Sequence, residues 1–160
     1  MTFGNIRPWK ATQIEGLDGI QKALSNSISD QLYIATNQSG KSGSLIAVAD
    51  ALTTGQGRTI IIAPTASAIN ALLEEATKLG IRDRFGVVNE SSKEFDKPIL
   101  LTTGRSLIIN VENGKIKPDD FQGVLLDEAH LALGEKTLRT LTKFQKHFRI
   151  GFSATPEYCE

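Results

Sequence analysis

The stretch LYIATNQSGKSGSLIAVADAL at 32–52 decides the fold, because it passes from a short apolar run through a small polar loop into a helical pattern. The run at 32–35 is apolar and β-prone, which predicts a strand. The second half repeats its apolar residues at the spacing of one helix face. These residues are Leu45, Val48, Ala49 and Leu52. The stretch therefore predicts a strand, a loop and a helix in immediate succession.

The rest of the chain repeats this alternation. Further apolar, β-prone runs lie at 59–63, 85–88, 98–102, 123–126 and 148–152, and we interpret all of them as buried strands. Helical patterns are marked by Ile14, Leu17, Ile20 and Leu24, and again by Ile69, Leu72, Leu73 and Ala76, the latter ended by a capping Gly80. Buried strands separated by amphipathic helices are typical of a mainly parallel sheet with helices on both faces. The predicted fold class is α/β.

A last helical pattern follows residue 130 and has two faces. Its apolar stripe predicts a contribution to the core, and consists of Leu138, Leu141, Phe144 and Phe148. Its basic row consists of Arg139, Lys143 and Lys146. A solvated face is the commoner meaning of such a row, while a surface for nucleic acid or for another lobe is the alternative.

Composition predicts one domain over residues 1–160, since a chain of this length with 40% hydrophobic residues can build a single core. Lysine plus arginine equals aspartate plus glutamate at 18 each, so no bulk positive field points to a nucleic-acid partner. The apolar runs are too short to cross a bilayer, which predicts no membrane association. The single cysteine, Cys159, excludes an internal disulfide and predicts an intracellular, cytoplasmic protein.

The loop ATNQSGKS at 35–42 fits the Walker A pattern if Ala35 replaces the first glycine. In such a loop the backbone N–H groups and the helix N-terminus converge on phosphate groups. Lys41 would reach the terminal phosphates and Ser42 would offer its hydroxyl to Mg²⁺. The residues predicted to surround the nucleotide here are Thr36, Asn37, Gln38, Ser39, Gly40, Lys41, Ser42 and Gly43. The alternative is a Ser/Gly turn with a solvated lysine that binds no phosphate.

The tetrapeptide DEAH at 127–130 ends the predicted strand GVLL at 123–126. The carboxyl end of a parallel strand faces the crevice where ligands bind. There Asp127 can hold Mg²⁺ while Glu128 positions and deprotonates water, and Asp127, Glu128 and Lys41 together form the predicted catalytic set. The alternative is a solvated acidic start of the next helix, which becomes weak beside a Walker A loop.

Five segments in order resemble motifs I, Ia, Ib, II and III of the first RecA-like domain of superfamily 2 helicases, the DEAH/DEAD-like group that includes restriction-enzyme motor subunits. They are ATNQSGKS at 35–42, APT at 63–65, TTGRSL at 102–107, DEAH at 127–130 and SATP at 153–156. DEAH followed by SAT is specific, whereas APT and TTG gain weight from their order. The resemblance spans nearly the whole chain and implies a three-layer RecA-like P-loop fold that uses ATP and Mg²⁺.

The same resemblance implies further roles. Ser153 and Thr155, joined by His130, would couple the γ-phosphate to bound nucleic acid. The nucleic-acid backbone would contact Pro64, Thr65, Thr102, Thr103 and Arg105. For Arg105 a solvated loop position is an equal alternative. Such donors read phosphate without reading sequence, so the motifs do not separate DNA from RNA, although DNA is slightly favoured.

RPWKATQ at 7–13 is similar to the adenine-recognition element of this group, with Arg7 counted among the nucleotide-binding residues. Many relatives place glutamine directly after the aromatic residue, where this chain has Lys10. The next glutamine is Gln13, and we assign the role to it on its distance in sequence from Lys41. Its amide can pair with both N6 and N7 of adenine. Trp9 would either stack on the base or cover the core.

The chain stops soon after the fifth motif, at Glu160, without the second RecA-like lobe and its arginine finger. Such a finger is worth about 10³ to 10⁵ in rate, so we expect weak hydrolysis from this lobe alone. The leading hypothesis is the ATP-binding motor lobe of a nucleic-acid helicase or translocase. The alternative is a non-catalytic ATP-sensing or nucleic-acid-clamp module with a degenerate P-loop. A P-loop phosphotransferase is disfavoured by DEAH and SATP together.

Overall fold

The computed structural model describes residues 11–27, 30–35, 40–53, 55–132, 134–144 and 148–154. Its strands are β1 (Asp30–Ile34), β2 (Thr59–Ala63), β3 (Phe85–Val88), β4 (Ile99–Thr103), β5 (Gly123–Asp127) and β6 (Phe148–Ser153). Its helices are α1 (Ala11–Ser25), α2 (Lys41–Leu52), α3 (Ala66–Lys78), α4 (Gly104–Glu112), α5 (Ala129–Ala132) and α6 (Glu135–Leu141). The six predicted strands are confirmed within two residues at each end.

The strands form one sheet in the order β1-β6-β5-β2-β4-β3, and every pair of neighbouring strands in it is parallel. This order places β6 between β1, which precedes the phosphate loop, and β5, which carries the acidic pair. The carboxyl ends of all six strands consequently meet at one edge of the sheet. The α/β class with a parallel central sheet is confirmed.

Two apolar layers cover the two faces of the sheet. One packs α1, α2 and α3 against the sheet, and the other packs α4, α5 and α6 against the opposite face. Central strands such as β2 and β5 are buried along their whole length, which explains their unbroken apolar sequences. Among the described residues no helix combines the length and apolar character needed to cross a membrane.

The edge strand β1 departs from the prediction of a strand buried on both faces. Tyr33 lies in the core, where its ring is 5.1 Å from that of Phe152. Leu32 and Ile34, on the opposite face, are 44% and 49% exposed. β1 is the outermost strand, and α4 to α6 leave that face of it uncovered.

Two helical stripes are rotated relative to their predicted positions. In α1 the buried residues are Gln13, Leu17 and Ile20, while Ile14 is half exposed. The stripe therefore begins one residue earlier than predicted, on a polar side chain. In α6 two threonines, Thr137 and Thr140, share the buried face with Leu141, and Leu138 points to solvent. Thr137 fits there because Gly104 of α4 has no side chain: a Cβ on it would lie 3.1 Å from the threonine hydroxyl oxygen.

Candidate nucleotide site

Gly40 forms the junction between the phosphate loop and α2. Its φ of 81° lies in the left-handed region, which a residue with a side chain adopts only at a cost of about 1 kcal/mol. Its carbonyl accepts the Ser44 amide at 3.1 Å, which starts the helix. The same carbonyl accepts Nε2 of Gln13 at 3.0 Å. The glycine is thus required by its backbone conformation and by the close approach of α1.

Lys41 begins α2 and points across the carboxyl edge of the sheet towards the end of β5. It is 5% exposed, and its Nζ makes a short contact with Oε1 of Glu128. The same Nζ lies 3.7 Å from Oδ1 of Asp127. The fold therefore brings the predicted lysine of motif I and both predicted acids of motif II into one cluster. Ser42 follows at the half-buried second position of α2, and Gly43 is buried.

Asp127 occupies the most restrictive position in this cluster. Its carboxylate is buried, and Oδ1 accepts no hydrogen bond from any described residue. Burial raises the pKa of Asp127, and the positive charge of Lys41 partly opposes that shift. Burial also lowers the pKa of Lys41, against the attraction of Asp127. Burial thus disfavours an isolated charge on either group, and each is favoured in its charged form by the other.

The chemistry of this donor set fits Mg²⁺. A magnesium ion usually takes one or two carboxylates and fills its other positions with water and phosphate oxygens. An unpartnered buried carboxylate oxygen offers one such ligand. Within the described part of the chain, no three His, Cys, Asp or Glu side chains converge as a metal cage. The sequence assigned Ser42 as the second protein ligand, and it lies one residue beyond Lys41.

Glu128 has an unusual backbone. Its φ of 47° lies in the left-handed region, although it is not a glycine. This conformation turns the chain sharply between the end of β5 and the short helix α5. Strain of this kind costs of order 1–3 kcal/mol and clusters at functional sites. As a result the two side chains point in different directions. Asp127 stays buried at the edge of the sheet, and Glu128 is more exposed.

His130 and Ser153 connect motif II to motif III. The His130 Nδ1 lies 3.0 Å from Oγ of Ser153, and 3.6 Å from Oε2 of Glu128. Ser153 is fully buried at the end of β6, where it is paired with Ile34 at the end of β1. A continuous polar chain therefore runs from Lys41 through Glu128 and His130 to the strand beside the phosphate loop. Thr155, the other predicted coupling residue, lies outside the described residues.

The residues assigned to nucleic acid lie at the ends of two neighbouring strands, β2 and β4. Thr65 caps the N-terminus of α3 by accepting the Ala68 amide at 3.1 Å, and it is exposed beside Pro64. Thr103 caps α4 in the same way through the Ser106 amide at 3.4 Å. Arg105, in the first turn of α4, is exposed. These positions place two helix N-termini side by side at the carboxyl edge of the sheet.

Thr102 differs from this group. It is completely buried, and its hydroxyl donates to the carbonyl of Val88 at 2.8 Å. The side chain points into the sheet because residues alternate faces along β4. The structure therefore does not bring the Thr102 hydroxyl to the surface predicted to carry the nucleic-acid backbone.

Of the residues predicted to lie near the adenine base, the structure describes Gln13. Gln13 is 2% exposed and directs its amide nitrogen at Gly40, a contact between residues 27 positions apart that no sequence spacing indicates. The resemblance of RPWKATQ at 7–13 pointed to Gln13 as a nucleotide-binding residue but gave no sign of this contact. Arg7 and Trp9, together with Thr36, Asn37, Gln38 and Ser39, lie outside the described residues.

The chain resembles a known protein family and several solved structures. A family model described as ResIII, type III restriction enzyme, res subunit, matches residues 7–158. A search of curated proteins gives no match. Among solved structures, the UvsW helicase from bacteriophage T4 is 16% identical with a TM-score of 0.75 over 92% of this chain and 53% of that chain. The Sulfolobus solfataricus SWI2/SNF2 ATPase core in complex with dsDNA is 23% identical with a TM-score of 0.74. This match covers 97% of the present chain and 33% of the Sulfolobus solfataricus chain.

A hypothetical ATP-dependent RNA helicase from Sulfolobus tokodaii is 18% identical with a TM-score of 0.74, covering 95% of this chain and 48% of that chain. At these identities the similarity establishes the fold, which is that of a first RecA-like domain. The chain spans about half or less of the length of each of these three structures.

Proposed function

We infer the function from the family: the chain belongs to the ResIII family of type III restriction enzyme res subunits, within the superfamily 2 helicases, and carries a helicase motor domain of that kind. We propose that residues 1–160 are the ATP-binding first lobe of a helicase or translocase that couples ATP hydrolysis to movement along nucleic acid. The whole activity would require a second RecA-like lobe.

One observation carries the proposal: the buried ammonium of Lys41 contacts Glu128 and faces the unpartnered oxygen of Asp127. A lysine at the start of α2 and two acids at the end of β5 are separated by 86 and 87 residues in sequence. A merely solvated acidic turn has no reason to bury this lysine. The cluster instead supplies one cation for phosphate, one ligand for Mg²⁺ and one base for water.

We assign the steps to these residues as follows. On ATP binding, Lys41 leaves Glu128 and pairs with the terminal phosphates, while Gly40 and the first turn of α2 direct backbone N–H groups at them. Asp127 and Ser42 would hold Mg²⁺, which would supply positive charge to the phosphate oxygens. The released Glu128 orients a water molecule and accepts its proton. Gln13 pairs with the adenine base, with Trp9 and Arg7 nearby.

The polar chain through His130 and Ser153 would transmit the position of Glu128 to β6 and, with Thr155, to the nucleic-acid surface. That surface would consist of Pro64, Thr65, Thr103 and Arg105, where helix N-termini favour phosphate. DNA is slightly favoured over RNA as the partner. The second lobe would supply the arginine finger, so this lobe alone should hydrolyse ATP slowly.

The test is binding of a fluorescent ATP analogue, with and without Mg²⁺, to the chain and to two variants. Lys41→Met removes the buried ammonium, and we expect affinity to fall about 10- to 100-fold, as for loss of charge-assisted hydrogen bonds. Lys78→Met removes an exposed lysine on α3 and is the matched control, with no change expected. Equal affinity in all three proteins would refute the proposed site.

The second candidate, an ATP-sensing or nucleic-acid-clamp module, is favoured by the irregular loop sequence, in which Ala35 replaces the first Walker A glycine. The two functions separate on turnover. Phosphate release should be measured with and without DNA and RNA, on this chain combined with a second lobe. A motor predicts stimulation by one nucleic acid, whereas a clamp predicts binding without stimulated release.

A further inference from the structure

The contact between Gly104 and Thr137 joins two segments that the proposed function treats separately. Gly104 is the first residue of α4 and lies between Thr103 and Arg105, which we assign to the nucleic-acid surface. Thr137 lies in α6, the helix that follows the acidic pair of the nucleotide site by way of α5. A Cβ on Gly104 would lie 3.1 Å from Oγ1 and 3.6 Å from Cγ2 of Thr137. The two helices therefore touch at the first turn of α4.

This close approach explains the glycine, whereas its backbone conformation does not. Gly104 is absent from the described glycines with a positive φ, so an alanine could adopt its conformation. Alanine is also the better helix former of the two. What opposes it is the distance of 3.1 Å, which is tighter than most Cβ contacts. A methyl group at position 104 would require α4 and α6 to move apart by a few tenths of an ångström.

Thr137 is held in place by the packing around it. It is 9% exposed and shares the buried face of α6 with Thr140 and Leu141. Leu141 belongs to the same apolar layer as Leu107, which lies one turn beyond Gly104 in α4. These apolar contacts fix the two helices against each other. The Thr137 side chain then sets how closely the first turn of α4 approaches α6.

The first turn of α4 carries the groups that would hold a phosphate of the nucleic-acid backbone. Thr103 accepts the N–H of Ser106, and the N–H groups of Gly104 and Arg105 point towards the carboxyl edge of the sheet. A helix N-terminus of this kind favours phosphate. Hydrogen bonds to phosphate hold best at about 2.7–3.2 Å, so a displacement of a few tenths of an ångström weakens several of them together.

We infer that Thr137 is a positioning residue for the nucleic-acid surface, and that it seats the first turn of α4 in the space left by Gly104. This inference rests on the proposed nucleic-acid surface. It predicts that the two positions compensate for each other. A methyl group added at Gly104 is harmful while Thr137 is present, and is tolerated once Thr137 is shortened to alanine.

The experiment measures binding of labelled single-stranded DNA and RNA by fluorescence anisotropy at one salt concentration, and uses the nucleic acid that the wild type binds more tightly. Gly104→Ala and Thr137→Ala should each lower this affinity about 5-fold, and the double variant should return to within about 2-fold of the wild type, because residues in contact are coupled. Affinity for a fluorescent ATP analogue should stay unchanged in all four proteins.

Thr140→Ala is the matched control. It makes the same change on the buried face of α6, one turn after Thr137, but the Thr140 hydroxyl donates to the carbonyl of Lys136 in its own helix at 3.0 Å. We expect it to lower the free energy of unfolding, measured in urea, about as much as Thr137→Ala does. Its nucleic-acid affinity should equal that of the wild type, because the seat of α4 is intact. Binding is measured where every variant is folded.

Three results overturn the inference while the proposed function stands. In the first, Gly104→Ala binds nucleic acid as the wild type does. In the second, the double variant binds as weakly as Gly104→Ala, which shows that the added methyl group blocks the nucleic acid directly. In the third, Thr140→Ala loses as much affinity as Thr137→Ala, which shows a general loosening of α6. A wild-type chain that binds neither DNA nor RNA overturns the proposed nucleic-acid surface and this inference with it.

Discussion

Replacing Lys41 by methionine should destabilise the fold in the absence of any nucleotide, and more strongly at alkaline than at acid pH. The lysine is buried and is the cation that faces both Asp127 and Glu128 in the described site. Methionine has a similar length and fills the same space, so little packing is lost. The effect of the substitution is then mainly electrostatic.

The magnitude follows from the geometry. At the 3.7 Å that separates Nζ from Oδ1 of Asp127, opposite charges attract by about 4–5 kcal/mol at an effective dielectric constant of about 20. Part of the lost attraction is offset in the variant, because no ammonium group has to be buried there. Glu128 is partly exposed and can turn to water. Breaking buried pairs elsewhere costs about 3–5 kcal/mol, so we expect a loss of about 2–4 kcal/mol at about pH 8.

The pH dependence comes from Asp127. Burial raises its pKa, so the folded protein retains a proton that the unfolded chain has already released. Stability therefore falls as pH rises from the unfolded pKa through the folded one. Lys41 opposes this shift, and its removal raises the folded pKa further and widens the window. Once Asp127 is protonated it needs no cation, so the loss should shrink as the pH falls through the raised pKa of Asp127.

Urea denaturation at about pH 5 and pH 8 measures the difference between the wild type and Lys41→Met, so that titrations common to both proteins cancel. The same substitution in an Asp127→Asn background isolates the pair, and there the pH dependence should vanish. A loss of equal size at both pH values, in the presence of Asp127, would refute the account of the cluster given above.

Two further outcomes are expected. Glu128→Gln should retain or tighten ATP binding, because Lys41 no longer has to break an ion pair with Glu128 to reach the phosphates. Phosphate release should fall about 10²- to 10⁴-fold, since the general base is lost. Unchanged release would show that Glu128 is not the base. Thr65→Val should weaken binding of single-stranded DNA, measured by fluorescence anisotropy, whereas Thr102→Val should leave that binding unchanged. Thr102→Val should instead lower the free energy of unfolding, measured in urea, by about 1–2 kcal/mol, because the hydrogen bond to the Val88 carbonyl is lost. The reverse pattern would restore Thr102 to the nucleic-acid surface.

Much of the fold followed from sequence because the relevant signals are local. The apolar runs that became β2 and β5 are buried on both faces, so their sequence carries no competing pattern. Errors arose where burial depends on neighbours distant in sequence. Leu32 looks like any core strand residue, but β1 lies at the edge of the sheet. The buried threonines of α6 were missed because Gly104, 33 residues before Thr137, makes the space for one of them.

The site was predictable where its residues are contiguous in sequence. DEAH placed an acidic pair at a strand end, and the Walker A pattern placed a lysine at a helix start, so their meeting followed from the parallel topology alone. Sequence did not indicate that Glu128 would adopt a left-handed backbone or that Asp127 Oδ1 would be left without a donor. Both depend on how β5 ends against α2, which is a property of the packed sheet.

These features share one physical consequence. The left-handed Glu128, the desolvation of the Lys41 ammonium and the unpartnered Asp127 oxygen each cost folding free energy, and all three lie at one edge of the sheet. Each cost is of a kind that a nucleotide with Mg²⁺ would relieve, by neutralising charge or by supplying a missing partner. A site assembled from such groups is most stable when occupied, so ligand binding and folding stability should rise together.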